Sequence, residues 1–491
     1  MPMRLNSLPT LFKFDRQLPI YNWIYPFELE ERRIADPLTV LEQIDPYPQR
    51  RALYFHIPFC DTICSFCPFT RGEFNSQDEV DRYVQALLRE IEIKRAYPAF
   101  RATPVDAIYF GGGTPSILRP EHIYQLGEAL HRSFDLSKLK EWTFECEVKS
   151  VTLAKLKAFQ DIGVTRISFG VQSLNPLYRE LFTMTATVDQ IRRVADWVNE
   201  RFPYTNADQI YCMPGQTLDD FLTDVDQILE LGTTTVDYYP LNNPAAQVRM
   251  HRAFAERGMK PLSANTKLSY RMFLNEYLRA KGYVPINGYS FTRNTGPADA
   301  PRQVMYRNLR YCLYLDIAYG YGDEHVDNYG AGSVGKYGPF VVANIENREQ
   351  YTSRLLGKQD KPWFRAASAD YAEKGIVYFP HRGTLEKARI VWDQVNPDTR
   401  AFFAESLKQG LAVDCGDHYE LTETGLLFYV NYTYALMPPR YQQEVCDYIN
   451  YTFTHGRQPD DVMFYPRAAM GQAPLDRHNL VVVPAASVAR S

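Results

Sequence analysis

No apolar run in the 491-residue chain approaches the roughly 20 residues that cross a bilayer. The opening stretch, MPMRLNSLPTLFKFDRQLP, has no uninterrupted apolar region of the secretory kind, because Lys13, Asp15 and Arg16 break it. A cytoplasmic location with no membrane partner is expected. Positive charge is not in excess: 54 Lys and Arg face 58 Asp and Glu, a net charge of −4. That balance excludes a broadly basic surface, so no nucleic-acid partner is expected. Eight cysteines in this length do not make a disulfide scaffold. Internal repeats and low-complexity tracts are also missing. What remains is a globular chain with 45% apolar and 23% charged residues, long enough for about three structural units.

From residue 51 to about 240, short β-rich runs alternate with helical patterns. RALYFHIP leads into a cysteine-rich loop, and SQDEVDRYVQALLREIEIKRA follows as a helix with Val80, Tyr83, Val84, Leu87, Leu88 and Ile91 on one face. Ser76 and Glu79 stand at capping-box spacing at its start. VDAIYF then reads as a strand ended by Gly111-Gly112-Gly113, with a helix beginning near Pro120. The strand WTFECEV, the helix TLAKLKAFQDIG with Gly163 as its cap, and the strand TRISFG come next. After a long helical stretch, ADQIYCM, TLDDFLTDVDQILEL and TTVDYYPL continue as strand, helix and strand. Such alternation implies a parallel sheet with right-handed crossovers, either doubly wound or closed as a full or partial barrel. After residue 340 it fades. NPDTRAFFAESLKQGLAVDCGDHYELTETGLLFYVNYTYAL reads as a helix, a turn at Gly410, a hairpin and a helix, a winged-helix-like shape without a basic face. The expected division is an N-terminal segment (1–50), a core domain (51–340), a small C-terminal domain (341–450) and a tail (451–491).

Three of the eight cysteines fall within eight residues as Cys60-x3-Cys64-x2-Cys67, directly after a strand. Three thiolates so spaced can each bind one iron of a cubane cluster and leave the fourth iron open. Structural zinc would want a fourth Cys or His at matching spacing, and only His56 is near, four residues upstream. The other five, Cys146, Cys212, Cys312, Cys415 and Cys446, are scattered and read as small buried hydrophobes.

YFHIPFCDTICSFCPF resembles the cluster loop of radical S-adenosylmethionine (SAM) enzymes, and Tyr-x-His-Ile-Pro-Phe narrows the likeness to the oxygen-independent coproporphyrinogen III oxidase-like branch. The resemblance continues through YFGGGTPS (109–116), ECEVKS (145–150), RISFGVQSLN (166–175), DQIYCMPGQT (208–217) and YELTETG (419–425). It implies an α/β fold, a partial (β/α)6-type TIM barrel with a small C-terminal α+β domain. It also implies a [4Fe–4S] cluster on Cys60, Cys64 and Cys67, an external electron donor such as flavodoxin or ferredoxin, and SAM bound at the open iron. Gly112, Gly113 and Thr114 would bring backbone amides close to the ligand. Glu147, near a strand end, would accept from a ribose hydroxyl or the amino group of SAM. Tyr54 and Phe66 flank the loop. The branch is associated with a second SAM, and by resemblance Phe66, Gly113, Thr114, Gln172 and Asp208 would line that site.

Two positions depart from the family pattern. Met184 stands where an arginine usually follows the Gln by about twelve residues, so a carboxylate clamp is missing or comes from elsewhere. Cys67 is followed by Pro68 and Phe69, where coproporphyrinogen oxidases often carry another cysteine. The second departure, with the unusual tail, favours methyl or methylene transfer to an sp2 carbon of an aromatic or conjugated natural product, while the first counts against every reading that needs a second SAM. Propionate decarboxylation is the alternative, and haem handling a third reading. No general acid or base is identifiable. Gly330 to Lys336 fits GxxxxGK, but Tyr337 replaces the Ser or Thr of a phosphate loop and no strand-to-helix transition frames it. It instead resembles the glycine-rich segment that closes the family's catalytic domain.

Overall fold

The computed structural model describes Tyr25 and residues 32–67, 71–241, 248–260, 262–294, 311–357, 361–369 and 372–442. The expected tail (451–491) lies outside the described residues, as does much of the N-terminal segment. Along the chain come β1 (Arg50–Ile57), the two-residue strands β2 (Phe59–Cys60) and β3 (Gly72–Glu73), then β4 (Ala107–Gly112), β5 (Glu141–Cys146), β6 (Arg166–Gln172), β7 (Tyr204–Tyr211) and β8 (Thr235–Pro240). The second half adds β9 (Tyr283–Pro285), β10 (Ser290–Arg293), β11 (Glu324–Tyr329), β12 (Val334–Tyr337), β13 (Phe340–Asn344) and β14 (Phe364–Ser368). The last strands are β15 (Thr384–Glu386), β16 (Ala412–Asp414) and β17 (His418–Leu421).

One sheet runs β14-β13-β12-β11-β1-β4-β5-β6-β7-β8-β10-β9. Within it β11, β1 and β4 to β8 are all parallel, and the outer strands are antiparallel. Helices join the parallel strands, giving the α/β architecture expected, six parallel strands in sequence order curled as a partial barrel with a smaller unit after it. Residue 340, where the alternation fades, opens β13, which pairs with β12 and β14 in this same sheet.

Local signals set the helices. Ser76 accepts a hydrogen bond from the Glu79 amide at 3.3 Å and starts the helix Gln77–Lys94. Its Val80, Tyr83, Val84, Leu87 and Ile91 are buried against the sheet, each apolar side chain contributing about 1.5–3 kcal/mol. Leu153–Ile162 ends at Gly163 with φ +101°, the left-handed cap that glycine supplies. Reciprocal capping boxes at Thr187/Gln190 and Thr217/Asp220 start the helices Val188–Arg201 and Leu218–Leu229.

The sheet's apolar face packs under these helices, while the inner face of the barrel carries polar and aromatic groups from alternate positions. At one side the helix Leu313–Ala318 closes it from inside, with Ile317 and Ala318 packed on Ala52, Ala107 and Val326. Tyr314 stacks on Tyr54 and Tyr109, with ring centroids 5.3 and 4.6 Å away. After Ser368 a second core forms around Val377, Phe379, Phe403, Leu411, Leu421 and Leu426. There β15, β17 and β16 make a three-stranded sheet, and the helix Pro397–Lys408 precedes a turn at Gly410, φ +72°. This is the helix, turn, hairpin and helix read from the sequence.

The GxxxxGK stretch is a β-hairpin: Gly330 directly follows β11 and Lys336 lies in β12. Lys336 is buried, donating to the Tyr25 carbonyl at 2.5 Å and the Tyr378 hydroxyl at 3.2 Å. It has no phosphate-loop geometry.

Candidate active site in the mouth of the barrel

The cysteine loop leaves β1 and is tied at its root. β2 pairs with β3, Phe59 opposite Gly72 and Cys60 opposite Glu73, and the Phe74 amide donates to the Cys60 carbonyl at 2.8 Å. Arg348, far along the chain, clamps this root. Its guanidinium lies 4.7 Å from the Phe59 ring centroid, donates to the Glu73 carbonyl at 2.8 Å and pairs with Glu79 at 2.6 Å. A Cβ at Gly72 would sit 2.5 Å from Arg348 Nη1, so the clamp needs glycine there. Further on, Ser65 Oγ donates to the Leu181 carbonyl at 3.1 Å, and the Phe66 ring meets Phe182 edge-on at 4.8 Å. The middle of the loop is thus docked on the helix Pro176–Leu181.

None of the three loop cysteines forms a disulfide. Burial is the first cause that pushes the Cys60 and Cys64 thiols up, Cys64 to about 12, and each also feels the charge of Cys67. Sulfurs on one zinc ion, at about 2.3 Å from it, would sit about 3.8 Å apart. Among the described residues, the trio of donors gathered within 4.8 Å of one another lies elsewhere, at Cys415, His418 and Glu420. The three loop sulfurs are not gathered that closely. His56 is not a fourth ligand: its Nδ1 is 2.9 Å from the Tyr54 hydroxyl, and its ring lies under Gly112.

The glycine edge fits closely over the loop's origin. Gly113 and Thr114 donate their amides to the Ile57 and Phe59 carbonyls at 2.9 and 2.7 Å. A Cβ at Gly113 would meet those same carbonyls at 2.9 and 2.8 Å, and one at Gly112, whose φ is +113°, would strike the His56 ring at 2.6 Å. Three thiols with an open side, beside a backbone edge no side chain could replace, fit a four-iron cluster with a small ligand on it.

The expected carboxylate, Glu147, sits at the end of β5 facing the loop. Its Oε2 accepts from the Ser150 amide at 3.1 Å, and burial raises its pKa. Deeper on the same strand face lies Glu145, which the sequence analysis did not single out. It accepts from the Tyr109 hydroxyl in a short hydrogen bond and from the Gly112 amide at 3.2 Å. Burial pushes its carboxyl up to about 7. A period-2 reading of FECEV places both acids inward, and only depth in the barrel separates them.

Asp208 lies opposite Asp237 in the β7–β8 ladder, so two carboxylates share one patch of the inner face. Asn206 Nδ2 donates to Asp208 at 2.9 Å, and the Tyr239 hydroxyl donates to Asp237 at 3.0 Å. Burial raises both pKa values, and for Asp208 the charges of Asp237 and Glu145 add to it. Tyr109 also feels Glu145 and Asp208. Tyr54, Tyr109, Glu145, Asp208 and Asp237 therefore line one interior. Gln172 sits at a register shift with φ +64°, its amide folded over Gly170.

Phe66 belongs to a different neighbourhood. It packs with Met184 and Met259 on the apolar cluster of Tyr178, Leu181, Phe182 and Met213. Met184 thus fills an apolar contact where the family pattern has arginine. The nearby Arg179 is buried and donates to the Ser173 and Val171 carbonyls at 2.9 and 3.3 Å, and also to Ala186. Its charge is felt beside Cys64 and Glu147.

The strand ends of the partial barrel thus gather a three-cysteine loop, a glycine edge and inward carboxylates. Residues 54–228 match the family model described as the radical SAM superfamily. Heme chaperone HemW of Lactococcus lactis subsp. lactis is 32% identical over 47% of this chain and 59% of its own length. Anaerobilin synthase of Escherichia coli O157:H7 is 33% identical over 40% of this chain, and the chain spans 44% of it. The oxygen-independent coproporphyrinogen III oxidase of Escherichia coli K12 is 26% identical over 73% of this chain and 77% of its own. The solved structure of the Escherichia coli coproporphyrinogen III oxidase superposes with a TM-score of 0.67 at 22% identity, covering 84% of this chain and 94% of that one, a likeness of fold. Over residues 54–228 the chain matches the radical SAM superfamily, and in sequence and fold it is similar to the coproporphyrinogen oxidase-like branch, a likeness that implies a [4Fe–4S] cluster and SAM. No helix among the described residues is long and apolar enough to cross a membrane.

Proposed function

We propose that the chain catalyses an oxygen-independent oxidation of a tetrapyrrole, the oxidative decarboxylation of propionate side chains on a coproporphyrinogen-type substrate. The observation that carries this reading is the extent of the likeness to the Escherichia coli enzyme of that name, 77% of its length in sequence. The other relatives named above, a haem chaperone and anaerobilin synthase, also have tetrapyrrole names. Tyr239, Tyr289, Tyr319, His381 and Tyr429 pack together where β8, the approach to β10 and the end of the helix Leu313–Ala318 meet the C-terminal unit, as part of the second core. Neighbouring rings among them lie 4.8 to 6.4 Å apart.

Cys60, Cys64 and Cys67 hold the cluster in this reading, and the cluster with SAM supplies a 5′-deoxyadenosyl radical. The Gly112–Thr114 edge, its amides committed to Glu145 and to the Ile57 and Phe59 carbonyls, packs against the ligand's methionyl end, and Glu147 takes a donor group of it. Glu145 braces the Gly112 amide and ties the glycine edge to Tyr109. Asp208, with Asp237 behind it, offers acceptors to a second, cationic molecule such as another SAM. Tyr54 and Tyr109 wall off water beneath. A small soluble donor such as flavodoxin or ferredoxin delivers the electron, in the cytoplasm.

Methyl or methylene transfer to a conjugated carbon is the second reading. Phe69 in place of a further cysteine favours it, while Met184 in an apolar cluster, where the family pattern has arginine, counts against a second SAM. Anaerobic assays with reductant, SAM and coproporphyrinogen III separate the two. Carbon dioxide and a vinyl porphyrin support the oxidase, and S-adenosylhomocysteine without decarboxylation supports transfer. Haem bound one to one with no SAM cleavage contradicts both.

A further inference from the structure

The hairpin of the C-terminal unit carries three donors of different chemistry that nothing in the radical site uses. Cys415 follows β16, His418 opens β17, and Glu420 lies two residues on, on the same strand face as His418. The Cys415 sulfur, one imidazole nitrogen and a Glu420 oxygen all fall within 4.8 Å of one another. Nε2 of His418 is 3.0 Å from Glu420 Oε1, while Nδ1 is 2.6 Å from Asp417 Oδ1. The imidazole is therefore held from behind by one carboxylate and faces the other.

Backbone pairing fixes these positions. β17 lies between β15 and β16, with Glu420 opposite both Thr384 and Val413. The Cys415 amide donates to the His418 carbonyl at 2.9 Å, and Gly416 makes the turn at φ +98°. Lys387 is the basic group at the turn, and it is committed to Asp414 at 2.6 Å and to the face of Tyr419. Donors bound to one ion at about 2.0–2.3 Å stand roughly 3.3–3.8 Å apart, so the trio needs little movement to close on a cation. Thiolate with imidazole and carboxylate suits zinc and its neighbours and not magnesium or calcium, which take oxygen ligands. Asp417 stands where an orienting carboxylate does behind a metal-bound histidine.

We propose that Cys415, His418 and Glu420 form a site for a zinc-class divalent ion, with water completing the shell, which staples the β16–β17 hairpin. The ion is structural and separate from the iron–sulfur cluster, so the proposal stands or falls independently of the reaction catalysed.

The test is anaerobic zinc titration of the cluster-loaded protein after dialysis into metal-free buffer. One equivalent is expected, with a rise in the melting temperature. Cys415→Ser and His418→Ala should each abolish that equivalent, and Asp417→Asn should weaken it about tenfold. Cobalt should give tetrahedral d–d bands with a thiolate charge-transfer band that Cys415→Ser removes. A variant lacking Cys60, Cys64 and Cys67 should still bind one zinc. Absence of zinc binding, equal affinity in wild type and His418→Ala, or loss of zinc with the loop cysteines would overturn the site.

Discussion

Replacing Glu145 by glutamine should flatten the pH dependence of the protein's stability. The side chain accepts from Tyr109 and the Gly112 amide, and its carboxyl titrates near 7 instead of about 4.5 because burial opposes its charge. The unfolded chain therefore releases this proton from about pH 4.5 upward, while the native protein holds it until about 7. The resulting penalty is absent below 4.5, grows between the two values and is complete above 7. A shift of about 2.5 units corresponds to about 3.4 kcal/mol at 1.36 kcal/mol per unit. Partial access from the barrel lowers this to about 2–3 kcal/mol. Glutamine keeps the shape, accepts from Gly112 and donates to the Tyr109 oxygen, and carries no charge to desolvate. Urea unfolding of the cluster-free protein between pH 5 and 8 should show wild type losing about 1.5–2 kcal/mol more than Glu145→Gln, at equal m-values, because about a quarter of the penalty is already present at pH 5. Asp208, Asp237 and Glu147 also titrate upward, but they are present in both proteins and largely cancel in the difference. Parallel curves for the two proteins would refute the assignment of a neutral, buried Glu145.

Arg348→Ala should leave the barrel folded but loosen the root of the cysteine loop; iron retention after desalting should fall severalfold, and unchanged retention would dismiss the clamp. Asp208→Asn removes one of two facing carboxylates. It should preserve the cluster's absorption while lowering turnover at least tenfold, and full activity would take Asp208 out of the site.

The helices and strands of the first 240 residues were legible because their signals are local. Ser76 caps as its position implies, and Gly163 adopts the left-handed conformation its place predicts. The cysteine loop was equally legible, since three thiols in eight residues leave few chemical readings. Longer-range facts were not. Glu79, at capping-box spacing, pairs instead with Arg348, a partner 269 residues away. Glu145 was hidden because the strand period cannot tell it from Glu147. Phe66 lies between Cys64 and Cys67 in sequence, and its ring joins Phe182 and the apolar cluster of Met184. That the main sheet continues through β13 and β14 depends on pairings between edge strands, which no periodicity encodes.

Electron paramagnetic resonance of the anaerobically reconstituted, dithionite-reduced protein, recorded with and without SAM, bears most directly on the open four-iron cluster. The predicted result is a [4Fe–4S]+ signal that changes when SAM is added and vanishes in Cys60→Ala, Cys64→Ala and Cys67→Ala alike. A preparation with no four-iron signal, or a signal indifferent to SAM, would contradict the account.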